Sequence, residues 1–124
     1  MTHDQAFLAD CRARLTFDLI AHTWDPVVLW ALGRRPHRPG ELVRQIGGIS
    51  PKALNEALHR LCRAGLVRRT PHPGSPPRVE YALTDLGTTL LGPVSALGAW
   101  AFEHGDEVAA ALARNERSDQ GVEL

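Results

Sequence analysis

Apolar positions along the chain fall into blocks whose spacing switches from helical to alternating and back. Phe7, Leu8, Cys11, Leu15 and Leu19 recur at intervals of three and four, which is one face of a helix. After a break at His22-Thr23, Asp25-Pro26 offers a capping carboxylate and a proline at the first helical position. Val27, Val28, Trp30, Ala31 and Leu32 make the helix that follows apolar nearly all round, so it belongs in the centre of the core. Gly33 stops it, and residues 34–38 read as a polar turn. A short helix over 39–46 buries Leu42, Val43 and Ile46, Gly47-Gly48 breaks it, and Ile49 fills the elbow.

Ser50-Pro51 repeats the cap-then-proline signal and opens the clearest helix of the chain. Leu54, Ala57, Leu58 and Leu61 face one way; Lys52, Asn55, Glu56, His59, Arg60 and Arg63 fall on the other side, and Gly65 ends the helix in a left-handed cap. The period then changes to two. Strands are expected over 66–70 and 78–83, the second with Val79, Tyr81 and Leu83 on one face and Arg78, Glu80 and Ala82 on the other. The seven residues between them include four prolines and a glycine, which makes a stiff hairpin tip. Thr84 starts a last long helix through Leu90, Leu91, Val94, Leu97, Trp100 and Ala101, in which Pro93 implies a kink or a restart. From Arg114 the sequence turns polar and a frayed tail is expected. The order is helix, helix, helix-turn-helix, hairpin, helix: a mainly α fold with a small β-hairpin wing, the winged helix-turn-helix plan. The expected organisation is one domain over 1–113, carrying terminal helices that pair with a second copy, and a flexible polar tail over 114–124.

Charge sharpens this picture. The chain of 124 residues has a formal net charge of zero, yet between Trp30 and Glu80 ten Lys and Arg stand against three Glu, a local +7 balanced by −7 at the ends. Such a basic middle between acidic ends forms either a local positive surface that the whole-chain charge conceals or a solvated face balanced by folding against those ends, and charge alone does not decide between them. Lys52, Asn55, Glu56 and His59 lie near the start of a helix of the size that enters a major groove, where Asn bonds adenine, Glu accepts from cytosine and Lys reaches guanine or phosphate. With Ser50 and Pro51 at the helix N-terminus, and Arg68, Arg69 and Arg78 on the hairpin, they form the expected surface for double-stranded DNA. Arg34, Arg35 and Arg38 are lesser candidates for backbone contacts.

Other chemistry is sparse. Two cysteines make neither a disulfide framework nor a zinc pattern, and six histidines form no ligand pair at helical spacing, so no metal or cofactor is expected. No glycine-rich phosphate loop, Ser/His/Asp arrangement or carboxylate pair points to an enzyme. Neither a signal segment nor a membrane span is expected, which favours the reducing cytoplasm. Phe17, Trp24, Trp30 and Trp100 could line an effector pocket or could simply pack the core. A winged-helix protein-interaction module without DNA binding is the alternative function, and the basic helix face speaks against it.

On these residues the chain resembles the HxlR family of winged-helix transcription regulators. The landmarks are Cys11, Trp24, Glu41-Leu42, Gly48-Ile49-Ser50-Pro51-Lys52-Ala53-Leu54, Leu58, Leu61, Gly65-Leu66-Val67, Pro77-Arg78-Val79-Glu80-Tyr81, Leu83-Thr84, Gly87 and Trp100. His22-Thr23, Pro39-Gly40 and Arg12 depart from the residues common there. The resemblance implies a homodimer formed through the terminal helices, acting on a near-palindromic operator. Apolar residues Phe7, Leu8, Leu15, Leu19, Leu97, Trp100 and Phe102, more than a small trihelical core can cover, agree with it. It also implies that Cys11 responds to electrophiles or oxidants. Arg12 and Arg14 lie close to it in sequence, and a cation beside a thiol favours the reactive thiolate. A cysteine on an apolar helix face is also an ordinary packing residue.

Overall fold

The computed structural model describes residues 11–122, with side chains over 12–117. Among these residues six helices and one hairpin follow in the order α1 (Cys11–Ala21), α2 (Asp25–Leu32), α3 (Pro39–Ile46), α4 (Pro51–Arg63), β1 (Val67–His72), β2 (Arg78–Leu83), α5 (Asp85–Thr89) and α6 (Leu91–Val122). They group into two compact units, the first ending at Leu91 and the second beginning at Gly92. Mainly helical with a two-stranded wing, the chain has the winged helix-turn-helix fold. Phe7 and Leu8 lie outside the described residues.

The core of the first unit is where the apolar blocks of α2, α3 and α4 meet. Val28, Leu29 and Leu32 of α2, Leu42 of α3, Leu54, Ala57, Leu58 and Leu61 of α4, and Ile49, Leu66 and Val67 are all buried. Each large side chain so covered contributes roughly 1.5–3 kcal/mol of transfer free energy. The turn between α3 and α4 is made by Gly47 and Gly48 at φ of 70° and 74°, a region closed to most side chains. That pair swings the chain round so that Ile49 drops into the core and Ser50 can cap α4, its Oγ accepting from the Ala53 amide at 3.0 Å. Gly65, at φ 78°, closes α4: its amide donates to Cys62 O and the Leu66 amide to Leu61 O, both at 3.0 Å.

Four details differ from the sequence reading. Asp25 does not cap α2; Trp24 occupies the cap position and Asp25 lies in the first turn, where its carboxylate binds Arg60 of α4. The polar turn is not wholly solvent-facing, because His37 is buried and exchanges backbone hydrogen bonds with Tyr81 of β2 at 2.9 and 2.8 Å. β1 extends through Pro71 to His72, since the outer edge of a ribbon tolerates a missing amide. The last helix is two, the restart that Pro93 implied falling slightly earlier: Thr84 caps α5, Leu90 interrupts, and α6 restarts so that Pro93 sits in its first turn, where an amide needs no helical partner. α6 then runs through Arg114 to Val122, carried by good helix formers such as Ala109, Ala110, Ala111, Leu112 and Ala113.

Candidate nucleic-acid interface

α4 divides cleanly along its length. Its buried stripe sits on the core, and Lys52, Asn55, Glu56, His59 and Arg63 all stand exposed on the opposite side, at offsets that keep them on one helical face. Ser50 and Pro51 are exposed at the leading end. Ser50 is committed to the cap, its carbonyl taking the Leu54 amide as well, and Pro51 has no amide to donate. Their place in any contact is therefore to set the helix start. Arg60, grouped with this face by the sequence reading, turns inward to Asp25.

The wing arginines are all exposed, but they do not share one face. The register pairs Arg68 with Ala82, Arg69 with Tyr81 and His72 with Arg78. Because directly opposed residues project to the same side, Arg68 and Arg78 lie on one face with His72 and Glu80, and Arg69 lies on the other. Arg69 is close enough to Cys62 for its charge to act on the thiol; burial outweighs it and pushes the Cys62 pKa above its ordinary 9.0. Cys62 is therefore a packing residue with little thiolate at neutral pH.

One arginine that sequence reasoning ranked low joins the wing. The His37–Tyr81 bridge brings Arg38 alongside β2, where Arg38, His72, Arg78 and Glu80 line a cavity of about 200 Å³. His72 Nε2 lies 3.6 Å from Glu80 Oε1, so one carboxylate tempers this basic patch. Nothing local in the sequence signals the bridge, because it joins residues on separate elements. Glu41 partly neutralises both Arg35 and Arg38: Arg35 Nη1 lies 3.3 Å from its Oε2 and Arg38 Nε lies 3.9 Å from its Oε1. Glu41 also accepts the Arg38 amide at 2.8 Å, and that bond, aided by the Arg35 and Arg38 charges, holds its carboxyl below the ordinary 4.5. A second cavity, about 310 Å³, opens between α3 and α4 beside Gly40, Val43, Arg44, Pro51 and Asn55.

The remaining candidates fall on both units. Phe17 of α1 and Trp30 of α2 are about half exposed, Trp24 is partly covered, and Trp100 lies in the second unit with its ring 5.2 Å from that of His104. The side chain of Cys11 lies outside the described residues. No helix among the described residues is long and apolar enough to cross a membrane, and none of their His, Cys, Asp and Glu side chains form a group of three able to hold a metal ion.

Comparison with known proteins converges on this architecture. The chain is 37% identical over 112 residues to the HTH-type transcriptional regulator YtfH of Escherichia coli (strain K12), covering 90% of this chain and 87% of that protein. The reduced form of the transcriptional regulator YodB from B. subtilis superimposes with a TM-score of 0.65 at 32% identity, covering 73% of this chain and 88% of that one; a diamide-treated form is also solved. The redox regulator HypR in its reduced form gives a TM-score of 0.72 at 27% identity over 80% of this chain and 98% of its own. A family model described as HxlR-like helix-turn-helix matches residues 19–109, and with α4, its glycine turn and the arginine wing in place, the chain belongs to that family of DNA-binding transcription regulators.

Proposed function

We propose that this protein is a homodimeric repressor that reads a near-palindromic operator with α4 and steadies itself on the DNA backbone with the wing. The observation that carries the reading is the exposed polar face of α4, with Lys52, Asn55, Glu56 and His59 in a row beyond the Ser50-Pro51 start. Asn55 and Glu56 have the side-chain chemistry of base-edge readers, while Lys52, Arg68, Arg69 and Arg78 supply the cationic contacts that dominate affinity. A single module reads few base pairs, so two copies related by a two-fold axis double the site. Exposed apolar residues of α1 and α6, among them Leu15, Leu97, Trp100 and Phe102, favour pairing through the terminal helices. In this reading residues 1–113 form the DNA-binding and pairing domain, 114–124 its appended tail, and the protein acts as a non-enzymatic regulator in the cytoplasm.

Release from DNA follows modification of Cys11 by an electrophile or oxidant, or binding of a small molecule at the aromatic residues Phe17, Trp24 and Trp30 of the first unit or at Trp100 of the second. The redox forms in which YodB and HypR have been solved support the first route. An electrophoretic shift of the region upstream of the protein's own gene, with sedimentation in parallel, tests the whole. A dimer that retards this DNA at nanomolar concentration and loses it on diamide treatment, with Cys11→Ser insensitive, is the expected result. A folded chain that retards no duplex is instead a protein-interaction module.

A further inference from the structure

Beside the outward face of α4 a polar pair, Asp25 and Arg60, joins that helix to α2. Asp25 is 1% exposed. Arg60 Nε lies 2.9 and 3.2 Å from its two carboxylate oxygens and Nη2 lies 2.7 Å from Oδ1, a forked arrangement in which two N–H groups meet one carboxylate. At about 100° per residue, Arg60 stands roughly 80° round α4 from Lys52, on the border between the outward face and the core. That position lets the guanidinium reach inward while its stem stays at the rim. Asp25 belongs to the first turn of α2 and Arg60 to the last turn of α4, so each charge also meets the favourable end of its own helix dipole. The bond to Asp25 raises the Arg60 pKa above its ordinary value and holds the guanidinium protonated, with Glu56 adding to the effect.

The other buried residues of α2 and α4, two helices that pack on each other, are aliphatic: Val28, Leu29, Ala31 and Leu32 on one, Leu54, Ala57, Leu58 and Leu61 on the other. Such contacts are strong but non-directional, and they tolerate a small roll or slide of one helix on the other. A forked ion pair does not, because both of its hydrogen bonds are lost together when the helix rolls. We propose that Asp25 and Arg60 are positioning residues for DNA recognition, a strut that fixes the roll of α4 about its axis and so aims Asn55 and Glu56. Its effect falls on selectivity rather than on holding the fold together. The DNA part of this inference rests on reading α4 as the recognition helix; the ordering of α4 does not.

Two variants separate aim from stability. Asp25→Leu with Arg60→Met replaces the pair by apolar side chains that fill the seam without setting its direction, and Arg60→Lys keeps the charge without the fork. The expected result is cooperative thermal unfolding close to that of the natural chain, together with new microsecond-to-millisecond exchange at the amides of residues 52–63 by NMR relaxation dispersion. With a duplex of the protein's own upstream region and a scrambled duplex of equal length, the preference for the former falls at least tenfold in the double variant and at least threefold in Arg60→Lys. Binding to the scrambled duplex changes less than twofold, and the salt dependence keeps its slope, since no phosphate contact is lost. Unchanged α4 dynamics in both variants overturns the strut whatever the DNA does. An unchanged preference in a chain whose natural form discriminates overturns its role in aiming. A natural chain that binds neither duplex contradicts the reading of α4 itself.

Discussion

α4 and α6 make opposite use of their apolar residues. In α4 the leucines are hidden, Leu58 at 1% exposure, and what faces outward is charged or amide-bearing. In α6 the large apolar side chains themselves face outward: Phe102 is 97% exposed, Trp100 52% and Leu112 60%. A helix of the first kind has its packing completed within the chain and offers a surface suited to a polar, anionic partner. A helix of the second kind leaves packing undone and invites an apolar partner, of which a second copy of the same helix is the simplest. In the proposed dimer the first surface serves DNA and the second serves pairing.

The sharpest way to break this contrast is to make one substitution in each helix. Leu58→Ala empties a closed site in the core and is expected to lower unfolding free energy by about 2–5 kcal/mol, independent of protein concentration, in urea titrations. Phe102→Glu leaves the fold of the first unit intact and is expected to raise the dimer dissociation constant by tenfold or more, read by sedimentation at micromolar concentration. A dimer unaffected by Phe102→Glu would place the pairing surface elsewhere.

How much of this was legible beforehand depends on the range of the interaction concerned. The α4 stripe, the Ser50 cap and the Gly65 stop are local rules of spacing and backbone conformation, and the structure has all three. The HxlR-like landmarks carried the fold. What escaped were pairings between distant residues: Asp25 with Arg60, which looked like a cap and a solvent-facing arginine, and His37 with Tyr81, which looked like a turn. Each is decided by which elements happen to pack together. The separation of Arg68 from Arg69 could have been read from alternation once strand register was known.

Smaller effects sharpen the outer face. Arg78→Ala removes one candidate phosphate contact on the wing and is expected to weaken binding to all duplexes alike, lowering the slope of log affinity against log salt by about 0.9. A change confined to one DNA sequence would instead make Arg78 a base reader. The smallest effect concerns Glu41. Its carboxyl is held below the ordinary 4.5, so the charged form favours the folded state; that stabilisation is present above this value and is lost as pH falls through the lower folded value. Glu41→Gln is therefore expected to be less stable than the natural chain near neutral pH, with the difference shrinking below pH 4.5 in thermal melts.

The central claim is that the outward side of α4, and not the apolar side of α6, meets DNA. Adding a duplex of the upstream region to the isotope-labelled protein and following amide shifts by NMR tests this residue by residue. The largest changes are expected at Lys52, Asn55, Glu56 and His59, smaller ones at Arg68 and Arg78, and little along residues 100–112. Shifts concentrated on residues 100–112, with the amides of 52–59 unmoved, would contradict it.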